Sequence, residues 1–202
     1  MQSTNFITKL TKYCSPNVVM AVASVSVGGN RYGGYTENAL KYVQKNGISK
    51  ESEYGYMGRE RILGCKKSKT PAAAITGFRT IDNPNEQSLE EAVSQQPVII
   101  RLQCSGSFRE YKGGIIDSPP AAPKSEGMFV HYVLIVGYDT DSAGVKFWRI
   151  KNTAGEGWGE GGFGKLRRHL ADQRGVLGSP ANVVLNAYMA KLCSTLDKCR
   201  LN

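Results

Sequence analysis

The stretch His131-Tyr-Val-Leu-Ile-Val-Gly-Tyr-Asp139 constrains the fold most. From Tyr132 to Val136 nothing polar interrupts it beyond a phenol, and Gly137 ends the run. An apolar run of this length, with β-branched residues and a turn signal behind it, predicts a strand buried on both faces. The segments 98–102, 145–150 and 163–167 carry the same grammar and supply its neighbours. One of only two histidines in the chain, His131, sits at the head of this run.

Upstream the pattern is helical. Residues 17–27 are small and apolar and predict a buried helix, after which Gly28-Gly-Asn-Arg-Tyr-Gly-Gly34 breaks the chain. Thr36 is placed to cap a helix running to about Lys45, with Ala39, Leu40 and Val43 on one face and Asn46-Gly47 as its stop. Asn85 or Ser88 starts a second short helix through Leu89, Ala92 and Val93, which Pro97 ends. The Pro/Ala/Gly/Ser-rich stretch 117–127 reads as a loop. A helical half followed by a strand-rich half predicts an α+β protein of two lobes. In the tail, apolar residues at 185, 188, 189, 192 and 196 fit one helix face. That helix would dock over exposed core or serve an oligomer.

Charge and cysteine usage exclude several classes. The net charge is +9, but the basic residues are scattered. The densest groups, Cys65-Lys-Lys-Ser-Lys69 and Lys165-Leu-Arg-Arg-His169, lack the interleaved aromatics of a nucleic-acid platform. No stretch approaches the roughly 18 apolar residues of a membrane span. Neither nucleic acid nor membrane is therefore an expected partner. Cys14, Cys65, Cys104, Cys193 and Cys199 make an odd set without Cys-x-x-Cys or a metal-ligand spacing with histidine, so no metal or cofactor is expected. Met1 leads straight into Gln-Ser-Thr-Asn. No basic-then-apolar leader is read there, so localisation stays open, with a cytoplasmic, reducing setting as one expectation.

The chemistry begins with a pair. In Lys151-Asn-Thr-Ala-Gly-Glu-Gly-Trp-Gly-Glu-Gly-Gly-Phe163 a strand ends in an amide, Asn152, followed by a Gly-rich turn holding Trp158. His131 and Asn152 lie 21 positions apart, enough for a strand, a turn and a returning strand. An asparagine on the neighbouring strand can fix the tautomer and direction of an imidazole, as the third group of a nucleophile–base–orienter triad does.

Taken with Gly33-Gly34-Tyr35, Ala39-Leu40, Asn46-Gly47-Ile48, Glu53-Tyr-Gly-Tyr56, Gln96-Pro97-Val98, Tyr111-Lys-Gly-Gly-Ile115 and Arg174-Gly-Val176, these motifs follow one order along the chain. In that order the sequence resembles a plant-type papain-family cysteine peptidase, shortened in its N-terminal lobe. The resemblance implies a two-lobed α+β fold over residues 1–178, helical on one side and β-barrel-like on the other, with a substrate cleft between. Residues 179–202 are then a C-terminal extension, expected to be helical. It also implies that His131 is the general base and Asn152 the orienting amide, while Ala154 replaces a tryptophan that shields their hydrogen bond. Family members are vacuolar, lysosomal or secreted, which differs from the setting expected above.

The nucleophile is where the resemblance fails. The family's Cys-Gly-Ser-Cys-Trp opens a long helix, whose N-terminus stabilises the thiolate. Matching 20–25 to that helix puts Pro16 at the nucleophile position, Asn17 beside it, and Leu10 at the glutamine that donates to the oxyanion. On this placement about 20 residues are missing between Val25 and Gly33, judged against the usual cysteine-to-histidine interval. A second placement reads Leu10-Thr-Lys-Tyr-Cys14 as a later segment, and the catalytic helix is then absent. Cys14 would there be the partner of Cys65 in a family bridge; two other family bridges are lost at Arg31 and Leu177. Cys193 and Cys199 can pair only if the tail helix ends between them. The expectation is a peptidase homologue without activity that still takes a peptide or protein ligand in its cleft. The alternatives are an active endopeptidase using Cys14 and a non-enzymatic partner of active relatives acting through the C-terminal helix.

Overall fold

The computed structural model describes residues 36–47, 75–81, 85–117 and 129–168, and the backbone of 187–192. The chain divides into two units, Thr80–Met189 with Met1, and Gln2–Arg79 with Ala190–Asn202. The two Cys14 placements, the helix expected at 17–27 and His169 lie outside the described residues.

In the second unit, helix α1 (Thr36–Asn46) buries Ala39, Leu40 and Val43, the stripe its spacing predicts. Gly47 closes it with φ 67°, and its N–H donates to the Val43 carbonyl at 2.8 Å. That left-handed residue is the stop read from Asn46-Gly47. Thr36, expected as the cap, is instead the first helical residue. It is buried with an unpartnered Oγ1, so packing outweighs capping there. Gln44 Nε2 donates to the Thr76 carbonyl at 3.1 Å, tying α1 to strand β1 (Ile75–Ile81). The division between the units falls inside β1.

In the first unit, helix α2 (Glu86–Gln95) uses both candidate start residues. Asn85 caps it, accepting from the Ser88 N–H at 2.8 Å, and Ser88 Oγ accepts from the Asn85 N–H at 3.0 Å. This reciprocal box satisfies two of the N–H groups a helix start leaves open. Gln96 is the C-cap, directly before Pro97. Leu89, Ala92 and Val93 turn inward onto the sheet.

The strands are β2 (Val98–Cys104), β3 (Ile115–Ile116), β4 (Phe129–Thr140), β5 (Lys146–Lys151), β6 (Phe163–Arg167) and β7 (Ala187–Leu192). They neighbour one another in the order β7–β2–β4–β5–β6–β3. Strand β2 pairs antiparallel with β4 and β7, β5 pairs antiparallel with β4 and β6, and β3 runs parallel to β6. A four-residue helix, α3 (Gly106–Arg109), follows β2. Along β2, Val98, Ile100, Leu102 and Cys104 are all buried and the residues between them are partly exposed. The opposite face is thus wetter, and the core forms on one side only, with α2, Trp148, Ile150 and Leu166.

Two expectations need correction. Strand β4 is not buried on both faces: only Val133 and Ile135 are buried. The strand lies in an antiparallel neighbourhood with helix cover on its core side, so alternate residues meet solvent. The tail is not helical where it is described, because 187–192 form β7, with Tyr188 opposite Ile99. An uncovered β2 edge offers a row of open backbone groups, and pairing there outweighs the helical spacing of the tail's apolar residues. Among the described residues no helix is long and apolar enough to cross a membrane.

Candidate active site

His131 stands on β4 opposite Leu102 of β2, and Asn152 directly follows β5. The β4–β5 ladder brings Leu134 opposite Lys151 and so closes the distance between the two polar residues. His131 Nε2 lies 2.8 Å from Asn152 Oδ1. A backbone donor decides the direction of that bond: the Thr153 N–H donates to the same Oδ1 at 2.7 Å. Oxygen therefore faces the imidazole, and Nε2 must carry the proton and donate. In the neutral ring the lone pair is then on Nδ1. This is the protonation pattern a general base needs, with one nitrogen committed to an orienting group and the other open.

The amide is held by the turn that follows it. Asn152 is buried, and its N–H donates to the Gly162 carbonyl at 3.0 Å. Trp158 fills the space beneath, with Nε1 donating to the Phe108 carbonyl at 2.7 Å and its ring 5.0 Å from those of Phe108 and Tyr111. One glycine serves the turn, and another, in β6, makes room for the indole. A Cβ on Gly159, whose φ is +58°, would meet the Phe163 carbonyl oxygen at 2.3 Å, and one on Gly164 would meet the Trp158 ring at 2.7 Å. Trp158 therefore packs the core beside the turn and has no part in the polar pair. Nearby, Glu160 Oε1 accepts from Lys165 Nζ at 3.0 Å and from the Gly114 N–H at 3.2 Å. The hydrogen bond from Lys165 leads the causes that hold this carboxyl below its ordinary range.

Rings surround the imidazole. Phe108 and Phe129 meet His131 edge-on, with centroids at 5.9 and 6.2 Å. Neither stood out among the sequence motifs, although Phe129, two residues before His131 on one strand, shares its face. Ala154 is exposed and brings no ring of its own.

Among the described residues the only thiol is Cys104. It follows Leu102 by two positions and so faces the same side of the sheet as His131. It is fully buried, and burial pushes its pKa up to about 12. A thiol held neutral is not a nucleophile. Leu10, Cys14 and Pro16, and likewise Cys65, Cys193 and Cys199, lie outside the described residues.

An α+β fold with a histidine and an asparagine paired across neighbouring strands defines a papain-like protein. The family described as papain family cysteine protease matches residues 4–183, and the chain belongs to that family. Ananain of Ananas comosus is 34% identical over 148 residues, covering 72% of this chain and 41% of ananain. Thiol protease SEN102 of Hemerocallis sp. is 33% identical over 147 residues, covering 72% of this chain and 39% of that protein. The bromelain protease from Ananas comosus in complex with the E64 inhibitor superposes with a TM-score of 0.72 at 27% identity, over 85% of this chain and 76% of that one. The chain spans about two fifths of the length of the curated relatives it matches.

Proposed function

We propose that this chain is a papain-family homologue that has kept the base and its orienting amide but lost hydrolysis, and that it binds peptides without cutting them. The observation that carries the reading is the His131–Asn152 bond at 2.8 Å, with Nε2 as donor and Nδ1 left open. On the placement that matches residues 20–25 to the family's long helix, Pro16 and Leu10 take the positions of the motif's cysteine and glutamine; on the other placement that helix is absent. A proline has no nucleophile and a leucine no donor. Loss of an oxyanion donor alone costs about two to three orders of magnitude in rate, and loss of the nucleophile removes the covalent route. The buried, neutral thiol of Cys104 supplies no substitute nucleophile.

The test is hydrolysis of a fluorogenic dipeptide amide by the purified chain, run beside Cys14→Ala and His131→Ala. The expected rates are equal in all three. Turnover that disappears in both variants, together with His131-dependent alkylation of Cys14 by iodoacetamide, would instead establish an active peptidase. Binding is read separately, by fluorescence anisotropy of dye-labelled casein peptides. A saturable signal is expected, and a flat titration would remove the peptide-binding half of the proposal.

A further inference from the structure

One hydrogen bond does not hold an imidazole in a single orientation. A net contribution of about 1 kcal/mol is typical of such a bond, and a half-turn of the ring would exchange Nε2 for a carbon. The segment after Asn152 is Thr153-Ala154-Gly155 and brings no ring to that side. The rings come from elsewhere, and their arrangement is specific. Phe108 and Phe129 meet the imidazole at interplanar angles of 60° and 62°. Phe108 is buried, its carbonyl bonded to the Trp158 indole and its ring packed on that indole. Phe129 lies opposite fully buried Cys104 in the strand ladder and is itself only partly buried. The guanidinium of Arg109 covers its ring, 4.3 Å from the centroid. Phe108 and Arg109 are consecutive residues of α3, so one short helix touches the imidazole directly through Phe108 and indirectly through Arg109 and Phe129.

We propose that Phe129, pinned by Arg109, is a positioning residue that holds the His131 ring with Nε2 toward Asn152. The proposal rests on the reading of His131 as a base only for its functional meaning; the positioning itself is a property of the ring. The α3 helix acts as the carrier. Trp158 fixes its backbone through Phe108, and that anchoring in turn sets where the Arg109 side chain reaches.

The experiment reads the imidazole directly. Long-range proton–nitrogen correlation on the full chain with ¹⁵N-labelled histidine reports which ring nitrogen carries the proton. In the unmodified chain the His131 signal is that of the Nε2–H form. Phe129→Leu, which keeps bulk but removes the ring, lets the imidazole turn away from Asn152. The Nδ1–H share is then expected to rise toward that of free imidazole, by at most roughly the two- to tenfold equilibrium value of one aromatic pair. Arg109→Gln is expected to raise it roughly two- to fivefold, as for an exposed cation–π contact. Phe129→Tyr is expected to restore the original ratio. Val93→Ala, in the core away from the imidazole, serves as a control for general loosening. An unchanged ratio in both Phe129→Leu and Arg109→Gln overturns the proposal, as does an equal change in Val93→Ala. No substrate enters the measurement, so Cys14-dependent turnover would overturn the inert reading and leave this result intact.

Discussion

Replacing the cation that joins α2 to the sheet tests which forces set this half of the fold. The Arg168 side chain is 3% exposed, and its guanidinium pairs with Glu90 of α2, whose side chain is 42% exposed. It also lies over the rings of Trp148 and Tyr138, at 4.1 and 4.8 Å. The two ring contacts of a desolvated cation contribute about 1–2 kcal/mol each. The pair with a half-exposed carboxylate adds no more than about 1 kcal/mol. Opposing them, desolvation of a guanidinium costs several kcal/mol. Arg168 Nε is in addition buried without a partner, which costs about 1–3 kcal/mol. The two sides nearly cancel. Arg168→Met keeps most of the volume and removes both costs, so it is expected to change stability by less than about 1.5 kcal/mol in either direction. Arg168→Ala opens a cavity between Trp148 and Tyr138 and is expected to cost about 2–4 kcal/mol. Glu90→Gln leaves the cation without its counter-charge; at this exposure it is expected to cost about 1–3 kcal/mol, less than a fully buried pair would. Urea unfolding followed by tryptophan fluorescence gives all three values, since Trp148 reports on the site. If Arg168→Met costs as much as Arg168→Ala while Glu90→Gln is neutral, the guanidinium is a net stabiliser and the reasoning is wrong.

Other substitutions probe the turn and the buried thiol. Gly164→Ala would press a methyl against the Trp158 ring at 2.7 Å and is expected to cost at least about 2 kcal/mol in the same urea assay. The Glu160 carboxyl is held low chiefly by Lys165, so its tie stabilises the fold above the unfolded carboxylate pKa and is lost as pH falls through the lower folded value. Unfolding midpoints from pH 6 down to pH 3 are expected to fall less steeply in Glu160→Gln than in the parent chain. Cys104, with its pKa at about 12, is expected to stay unmodified by iodoacetamide at pH 8 in the folded chain and to react in 6 M urea, as read by peptide mass spectrometry.

What could be read in advance was local. The Asn46-Gly47 stop, the Asn85–Ser88 box and strand β6 all follow from residues within a turn or two of one another. The His131–Asn152 pair was legible too, because a strand, a turn and a returning strand leave few other arrangements for two polar residues at adjacent strand ends. Contacts that depend on distant chain were not legible. Strand β3 has two residues and exists through parallel pairing with β6, 50 positions away. Helix α3 has four residues, with Phe108 anchored by an indole 50 positions further on. Strand β7 shows the same override, since its helical spacing yields to the open edge of β2.

The surviving pair carries less weight for activity than its geometry invites. The Asn152 amide is buried and needs a partner whether or not catalysis occurs, and its Oδ1 takes the Thr153 N–H as well as the imidazole. His131 is partly buried and meets two phenyl rings edge-on. Removing either residue would leave a polar group or a ring face without its contact, at about 1–3 kcal/mol for the polar group alone. Packing by itself is therefore sufficient reason for the pair to stand.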